Sequence, residues 1–184
     1  HLKHSVKYLA TNPTLGLTYD GKIPLSDFHV YWDADWAANP DNRRSVTGYA
    51  FILCGAAVHF VSRFQKLVAK SSFESELISL FACTTDLIWL KYILENLDIA
   101  ITTISCYGDN KTAIYRSNEV VRTSRNRHID LRFFSQADLV EANVIALEKV
   151  DSKKNVVDSL TKSLTDFSSF SFCRRGLMNV SPDL

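Results

Sequence analysis

"DFHVYWDADWA", residues 27 to 37, decides the fold. Phe28, Val30 and Trp32 alternate with His29, Tyr31 and Asp33, the period-two pattern of a strand with one apolar face. Aspartate is a poor strand residue, and a charge beside Trp32 and Trp36 is costly to bury. Asp33 and Asp35 are therefore either solvated at a strand end or aimed into a site that needs negative charge.

Working outward, "ANPDNRR" (38–44) reads as a loop. "SVTGYAFILCG" (45–55) and "AVHFVSRF" (57–64) are rich in β-branched and aromatic residues and complete a three-stranded antiparallel meander. "SSFESELISLFACTTDLIWLKYILENL" (71–97) is a long helix, with Leu77, Leu80, Phe81, Thr84, Leu87, Ile88 and Lys91 on the 3.6-residue period and Leu90 and Leu94 continuing it. "TTISCYGD" (102–109) is a fourth strand. "NKTAIYRSNE" (110–119) is a helix, and "SRNRHIDLRFFSQADLVEAN" (124–143) is a second helical segment. "NVIALEKV" (143–150) is a fifth strand, and "NVVDSLTKSL" (155–164) is a closing helix. The tail "TDFSSFSFCRRGLMNV" (165–180) suggests a final helix near Phe170 to Met178. Upstream, Leu2, Val6 and Leu9 sit near helical spacing before Asn12-Pro13, and "TLGLTYDGK" (14–22) reads as a short strand with a turn at Asp20-Gly21.

A meander followed by alternating helices and strands gives an α/β fold: a mixed five-stranded sheet, part antiparallel and part parallel, flanked by helices. Ligands of such sheets sit beyond the carboxyl ends of the parallel strands. Carboxylates fall at element ends there: Asp33 after the first strand, Glu74 and Glu76 at the start of the long helix, Asp109 after the fourth strand, Asp158 after the fifth. Converging acids repel one another unless a cation binds among them. An all-oxygen cluster suits Mg²⁺ or Mn²⁺, and a pair of such ions is a standard device for in-line attack on a phosphodiester.

The bulk properties are those of one globular domain. The chain has 184 residues, 46% hydrophobic and 22% charged, with 21 basic and 20 acidic side chains for a net charge of +1. That balance decides nothing about a nucleic-acid partner, because local patches matter more than the sum. No apolar run reads as long enough to cross a bilayer, and "HLKHSVKYLA" lacks the apolar stretch of a signal peptide. Cys54, Cys83, Cys106 and Cys173 are widely spaced, without zinc spacing, and read as reduced thiols of an intracellular protein.

"YWDADWA…DNRRSVTGYAFIL", "AKSSFESELISL", "YGDNKTAI", "SRNRHIDLRFF" and "VVDSLTKSL" resemble, in order and spacing, the ribonuclease H domain of reverse transcriptases from copia-type LTR retrotransposons. The resemblance covers residues 1 to about 164. It implies a ribonuclease H-like fold and endonucleolytic hydrolysis of the RNA strand of an RNA–DNA hybrid. It further implies a site of two Mg²⁺ ions, for which Mn²⁺ can substitute, and no small-molecule cofactor. Carried over motif by motif, the catalytic metal ligands are Asp33, Glu76, Asp109 and Asp158. The expected partners are the hybrid and the polymerase region of the same polyprotein, with no membrane. The expected location is intracellular, in cytoplasmic virus-like particles and the nucleus. Residues 1–25 resemble the connection from the polymerase region, 26–165 the ribonuclease H domain, and 166–184 are a C-terminal tail. The alternative is a catalytically weak or domesticated module of the same fold that binds nucleic acid or serves a structural role.

Other readings of the same residues stay open. Ser71 and Glu74 fit a capping box, which leaves Glu76, about 200° away around the helix, for metal. Asp35 lies past the strand and suits a turn or cap. Asp109 could end its strand with Asn110 capping the next helix, and Asp158 could stand third in a capping box begun by Asn155. His128 and Asp130 invite a dyad but align with a helix start away from the acids. Trp36, Trp89, Phe81 and the Phe-rich tail read as packing residues. The loop "DSKKN" (151–155) departs from cellular relatives: it has Lys153 and Lys154 where they carry a histidine. Their basic, tryptophan-containing insertion is also missing. Arg43, Arg44, Arg63, Lys66, Lys70, Arg122, Arg125 and Arg127 are the scattered candidates for phosphate contacts.

Overall fold

The computed structural model describes residues 2–118 and 135–180. Its elements are α1 (Leu2–Thr11), β1 (His29–Asp35), β2 (Val46–Leu53), β3 (Ala56–Phe64), α2 (Ser72–Asn96), β4 (Ile104–Gly108) and α3 (Lys111–Asn118). A helical stretch over 135–141 follows as α4. Then come β5 (Ile145–Lys149), a 3₁₀ turn (Ser152–Lys154), α5 (Asp158–Thr161) and α6 (Phe167–Met178). Five strands form one sheet in the order β3-β2-β1-β4-β5. β1, β2 and β3 are antiparallel, while β1 with β4 and β4 with β5 are parallel. The mixed sheet expected from the sequence is thus the one observed.

Alternation along β1 sorts its side chains between two layers. Val30 and Trp32 are buried beneath α2, with Tyr49, Phe51, Leu80, Cys83, Leu87, Ile104, Cys106 and Ile145. Each leucine-sized side chain buried in this way contributes roughly 1.5–3 kcal/mol. The opposite layer is smaller: Ala50, Ile52, Ala57, Val156 and Val157 pack with Tyr31, Leu160, Phe172 and Leu177. α2 is long and apolar enough by composition to cross a bilayer, contrary to the sequence reading. In the fold its Leu80–Cys83–Leu87 side instead covers the sheet. Ser71 caps it, accepting the Glu74 N–H at 3.1 Å, and the Glu74 carboxylate accepts the Lys70 N–H at 2.7 Å.

Among the described strands β3 pairs only with β2 and forms an edge of the sheet. Phe60 and Phe64 on it are 64% and 54% exposed. Trp89 and Trp36 are 61% and 47% exposed and so are not core residues, although the Trp36 indole donates to the Ala69 carbonyl at 3.0 Å.

Two elements depart from the sequence reading. Residues 14–22 form no strand. Their backbone bonds are isolated ones: the Thr18 N–H reaches the Met178 carbonyl (3.0 Å) and the Asp20 N–H reaches the Cys54 carbonyl (2.9 Å). The turn is present, with Asp20 accepting the Lys22 and Ile23 N–H groups. The Asn179 side chain, at the left-handed end of α6, donates to the Thr18 carbonyl at 2.9 Å and closes a clasp between the two ends of the fold. The closing helix over 155–164 shrinks to α5, which begins after Val157 without a side-chain cap. The Asn155 side chain turns inward instead: its NH₂ donates to the Trp32 carbonyl at 3.0 Å and its Oδ1 accepts the Val157 N–H at 3.5 Å. The tail helix is longer than expected, starting at Phe167. Asp166 caps it by accepting the Ser168 and Ser169 N–H groups. Arg122, Arg125, Arg127, His128 and Asp130 lie outside the described residues.

Candidate active site

The parallel pairing of β1 with β4 aligns Tyr31 with Tyr107. Asp33 and Asp109 each lie two residues further along, so they leave neighbouring strands at the same end. The third acid depends on a glycine. Asp33 pairs with Gly48 across β1 and β2. A Cβ at Gly48 would lie 2.5 Å from Thr161 Cγ2 and 3.2 Å from Leu160 Cβ. The bare backbone at that position lets α5 rest on the sheet directly beside Asp33. The result is that one carboxylate oxygen from each of Asp33, Asp109 and Asp158 lies within 4.8 Å of the others.

Asp33 is 2% exposed and held from three sides. The Ser79 hydroxyl on α2 donates to its backbone carbonyl at 2.6 Å. The Thr161 hydroxyl donates to Oδ2. Lys162 Nζ stands 3.8 Å from the same oxygen and 3.1 Å from Asp158 Oδ1. Burial pushes the Asp33 carboxyl up to about 6; the Thr161 bond and the Lys162 charge oppose the rise, and Asp158 and Asp109 add to it. Asp158 is also raised, first by burial, with Lys162 opposing.

Glu76 enters from the first turns of α2. It is 5% exposed, takes a hydrogen bond from the Ala34 backbone, and has a buried Oε2 with no partner among the described residues. Burial raises it well above the usual carboxylate range, and the charges of Asp33 and Asp109 raise it further. It therefore borders the triad electrostatically without being one of its three members. Glu74 faces away and is occupied at the helix start. Asp35 ends β1 opposite Val46, where its charge reaches Asp158. Asn110 caps α3 through the Ala113 N–H at 3.0 Å, which leaves the Asp109 side chain free of that duty.

Thr161 and Lys162 went unnoticed in the sequence. The signal was there: they stand three and four residues after Asp158, the spacing that puts helical side chains on one face. Arg43, Arg44, Arg63, Lys66 and Lys70, and likewise Lys153 and Lys154, are exposed.

No family model matches the chain. It is 32% identical, over 94% of its length, to the retrovirus-related Pol polyprotein from transposon TNT 1-94 of Nicotiana tabacum. It is also 32% identical, over 98% of its length, to that from transposon RE2 of Arabidopsis thaliana. It spans only 13% and 12% of these two relatives. Among solved structures, LC11-RNase H1 in complex with RNA/DNA hybrid superposes with a TM-score of 0.55 over 73% of this chain and 93% of that one, at 14% identity. In sequence this chain is similar to one segment of the plant transposon Pol polyproteins, and its fold is the ribonuclease H-like fold.

Proposed function

We propose that the chain is a ribonuclease H that cuts the RNA strand of an RNA–DNA hybrid by endonucleolytic hydrolysis, with two divalent cations, Mg²⁺ or in its place Mn²⁺. The observation that carries this reading is the three aspartate oxygens within 4.8 Å at the carboxyl ends of parallel strands. The donor set fits such ions: it is all oxygen, as hard cations require, and the buried Oε2 of Glu76 still lacks a partner among the described residues. Asp33, Glu76, Asp109 and Asp158 would hold the ions. When bound, they activate the attacking water and stabilise the oxygen that leaves phosphorus. The superposed ribonuclease H with bound hybrid supports the substrate class, and the Pol homologues support an attached polymerase region as partner.

The chain's own residues set up that chemistry. Burial of Asp33 and Glu76 fixes their carboxylates without a competing water shell, so no reorganisation is needed at the moment of reaction. The Thr161 hydroxyl orients the carboxylate of Asp33 through its Oδ2. Ser79 and Asn155 pin the backbone at Asp33 and Trp32, which sets where the strand end points. Gly108 lets the Trp32 indole lie against the β4 backbone between the two aspartate-bearing strand ends; a Cβ there would meet Trp32 Cζ2 at 2.2 Å.

The test is cleavage of a labelled RNA strand, presented in a hybrid, with Mg²⁺. A DNA duplex and single-stranded RNA serve as comparisons, and an Asp33→Asn/Asp109→Asn chain serves as control. Cleavage of the hybrid alone, lost in the control, is the expected result. Equal cleavage of all three substrates, or cleavage that survives in the control, refutes the reading.

A further inference from the structure

We propose that Lys162 is a tethered counter-cation of the acidic cluster, which competes with divalent ions for Asp33 and Asp158 and so weakens the site's hold on them. The inference rests on the metal-site reading above and extends it to a residue outside the acidic set.

The geometry is that of a cation already in place. Lys162 Nζ stands 3.1 Å from Asp158 Oδ1 and 3.8 Å from Asp33 Oδ2, so it bridges two of the three clustered acids. Its side chain is only 38% exposed and that of Asp33 only 3%. The carboxylate side of each pair is therefore shielded from water, while the lysine side is partly screened by it. Asp109 also acts on this ammonium electrostatically. The head group is aimed by position: Lys162 follows α5 directly, four residues after Asp158, and its own backbone is extended.

A divalent ion on Asp33 and Asp158 is repelled by an ammonium a few ångströms away, so the two cations compete for the same carboxylates. Filling the site therefore favours departure of the head group. The fold gives it room. Lys162 lines a cavity of about 630 Å³ toward α1 and α6, and another of about 370 Å³ toward the ends of β2 and β3. Ser159 and Ser163 line both cavities, so a displaced ammonium finds hydroxyl acceptors on either side. Thr161 keeps its hold on Asp33 independently, so the aspartate need not reorient when the lysine departs.

The exchange is tested on the 184-residue chain by following free Mn²⁺ through its electron paramagnetic resonance signal at fixed ionic strength. Lys162→Met and Lys162→Gln should each bind Mn²⁺ about tenfold more tightly than wild type. Lys162→Arg should stay close to wild type. Affinities unchanged or weaker in both neutral variants overturn the proposal. If neither wild type nor variants bind at millimolar Mn²⁺, the metal-site reading itself falls, and the inference with it. A measurement on unmodified protein guards against variants that fail to fold: the nuclear resonance of the Lys162 ammonium should shift as Mg²⁺ saturates the site. A resonance that stays still while Mg²⁺ binds counts decisively against displacement.

Discussion

Asp33 and Glu76 are acids held where water cannot solvate them, and that has measurable consequences residue by residue. Asp33→Asn and Glu76→Gln should cut hybrid cleavage by roughly 100- to 1000-fold in a folded protein, the scale for losing one preorganised electrostatic group. Glu74→Gln should leave most activity and cost roughly 0.5 kcal/mol of stability, the worth of a carboxylate at a helix start. Side-by-side rates and melting curves check this, and the reverse order for the two glutamates would show that the wrong one was assigned to metal. A pH prediction follows from burial. The Asp33 carboxyl rises from 3.8 to about 6 on folding, so its contribution is fully present below pH 3.8 and is lost as pH climbs through 6. In metal-free buffer, the stability of wild type relative to Asp33→Asn should fall by roughly 2.5 kcal/mol between pH 4 and pH 7. Denaturant titrations of the two proteins at both pH values measure it, and a flat difference would contradict the assignment.

Among the elements, β1, α2, β4 and β5 were legible because each repeats its own period over enough residues to be unambiguous. The Ser71–Glu74 cap was legible as well, and it separated the two glutamates before any coordinates did. α5 was misread for a physical reason. Asn155 is a good cap by type, but its NH₂ donates to the buried Trp32 carbonyl while its Oδ1 accepts only the nearby Val157 N–H, and the helix starts after Val157 instead. The segment over 14–22 has strand-like residues but pairs with no described strand; it is held by single bonds to Met178, Cys54, Asn179 and Ala57. The exposure of Trp89 was invisible too, since α2 is apolar beyond its buried side. The dependence of α5 on Gly48 gives an element-level prediction. Gly48→Ala should destabilise the fold by about 1–3 kcal/mol, the usual cost of overpacking. It should also lower activity at temperatures where the variant is still folded, because Asp158 and Thr161 ride on the displaced turn. Gly16→Ala, with nothing within 4 Å of its Cβ, is the matched control and should do neither. An activity loss no larger than the unfolded fraction would mean that α5 settles back with its acid in place.

For the whole molecule, the candidate phosphate-binding cations among the described residues, Arg43, Arg44, Arg63, Lys66 and Lys70, are exposed and spread over β3 and two loops, which implies few organised phosphate contacts from them. Affinity for a polyanion comes largely from such contacts and falls steeply with salt. The isolated chain should therefore bind hybrid weakly and gain affinity when joined to the polymerase region, since a tether raises the local substrate concentration. The apolar stripe of α1, with Leu2, Val6 and Leu9 at 79%, 57% and 66% exposure, is consistent with a neighbour on that side. Titrating isolated and fused forms on one hybrid at two salt concentrations tests this. Equal affinities with equal salt slopes would reveal a binding surface of the domain's own.

The clasp between Thr18 and the end of α6 sets how the domain bears tension. A force pulling Asn12 and Val180 apart is resisted outside the sheet, by the Arg174 side chain on Asn12 (3.4 Å), the two hydrogen bonds at Thr18, the Asp20 N–H on the Cys54 carbonyl and the Tyr19 hydroxyl on the Ala57 carbonyl. Mechanical extension should therefore begin with a step that frees the segment ahead of β1 while the sheet and its acids stay intact. In a longer chain under strain, that step would lengthen the leash before the acid-bearing end of the sheet felt any load.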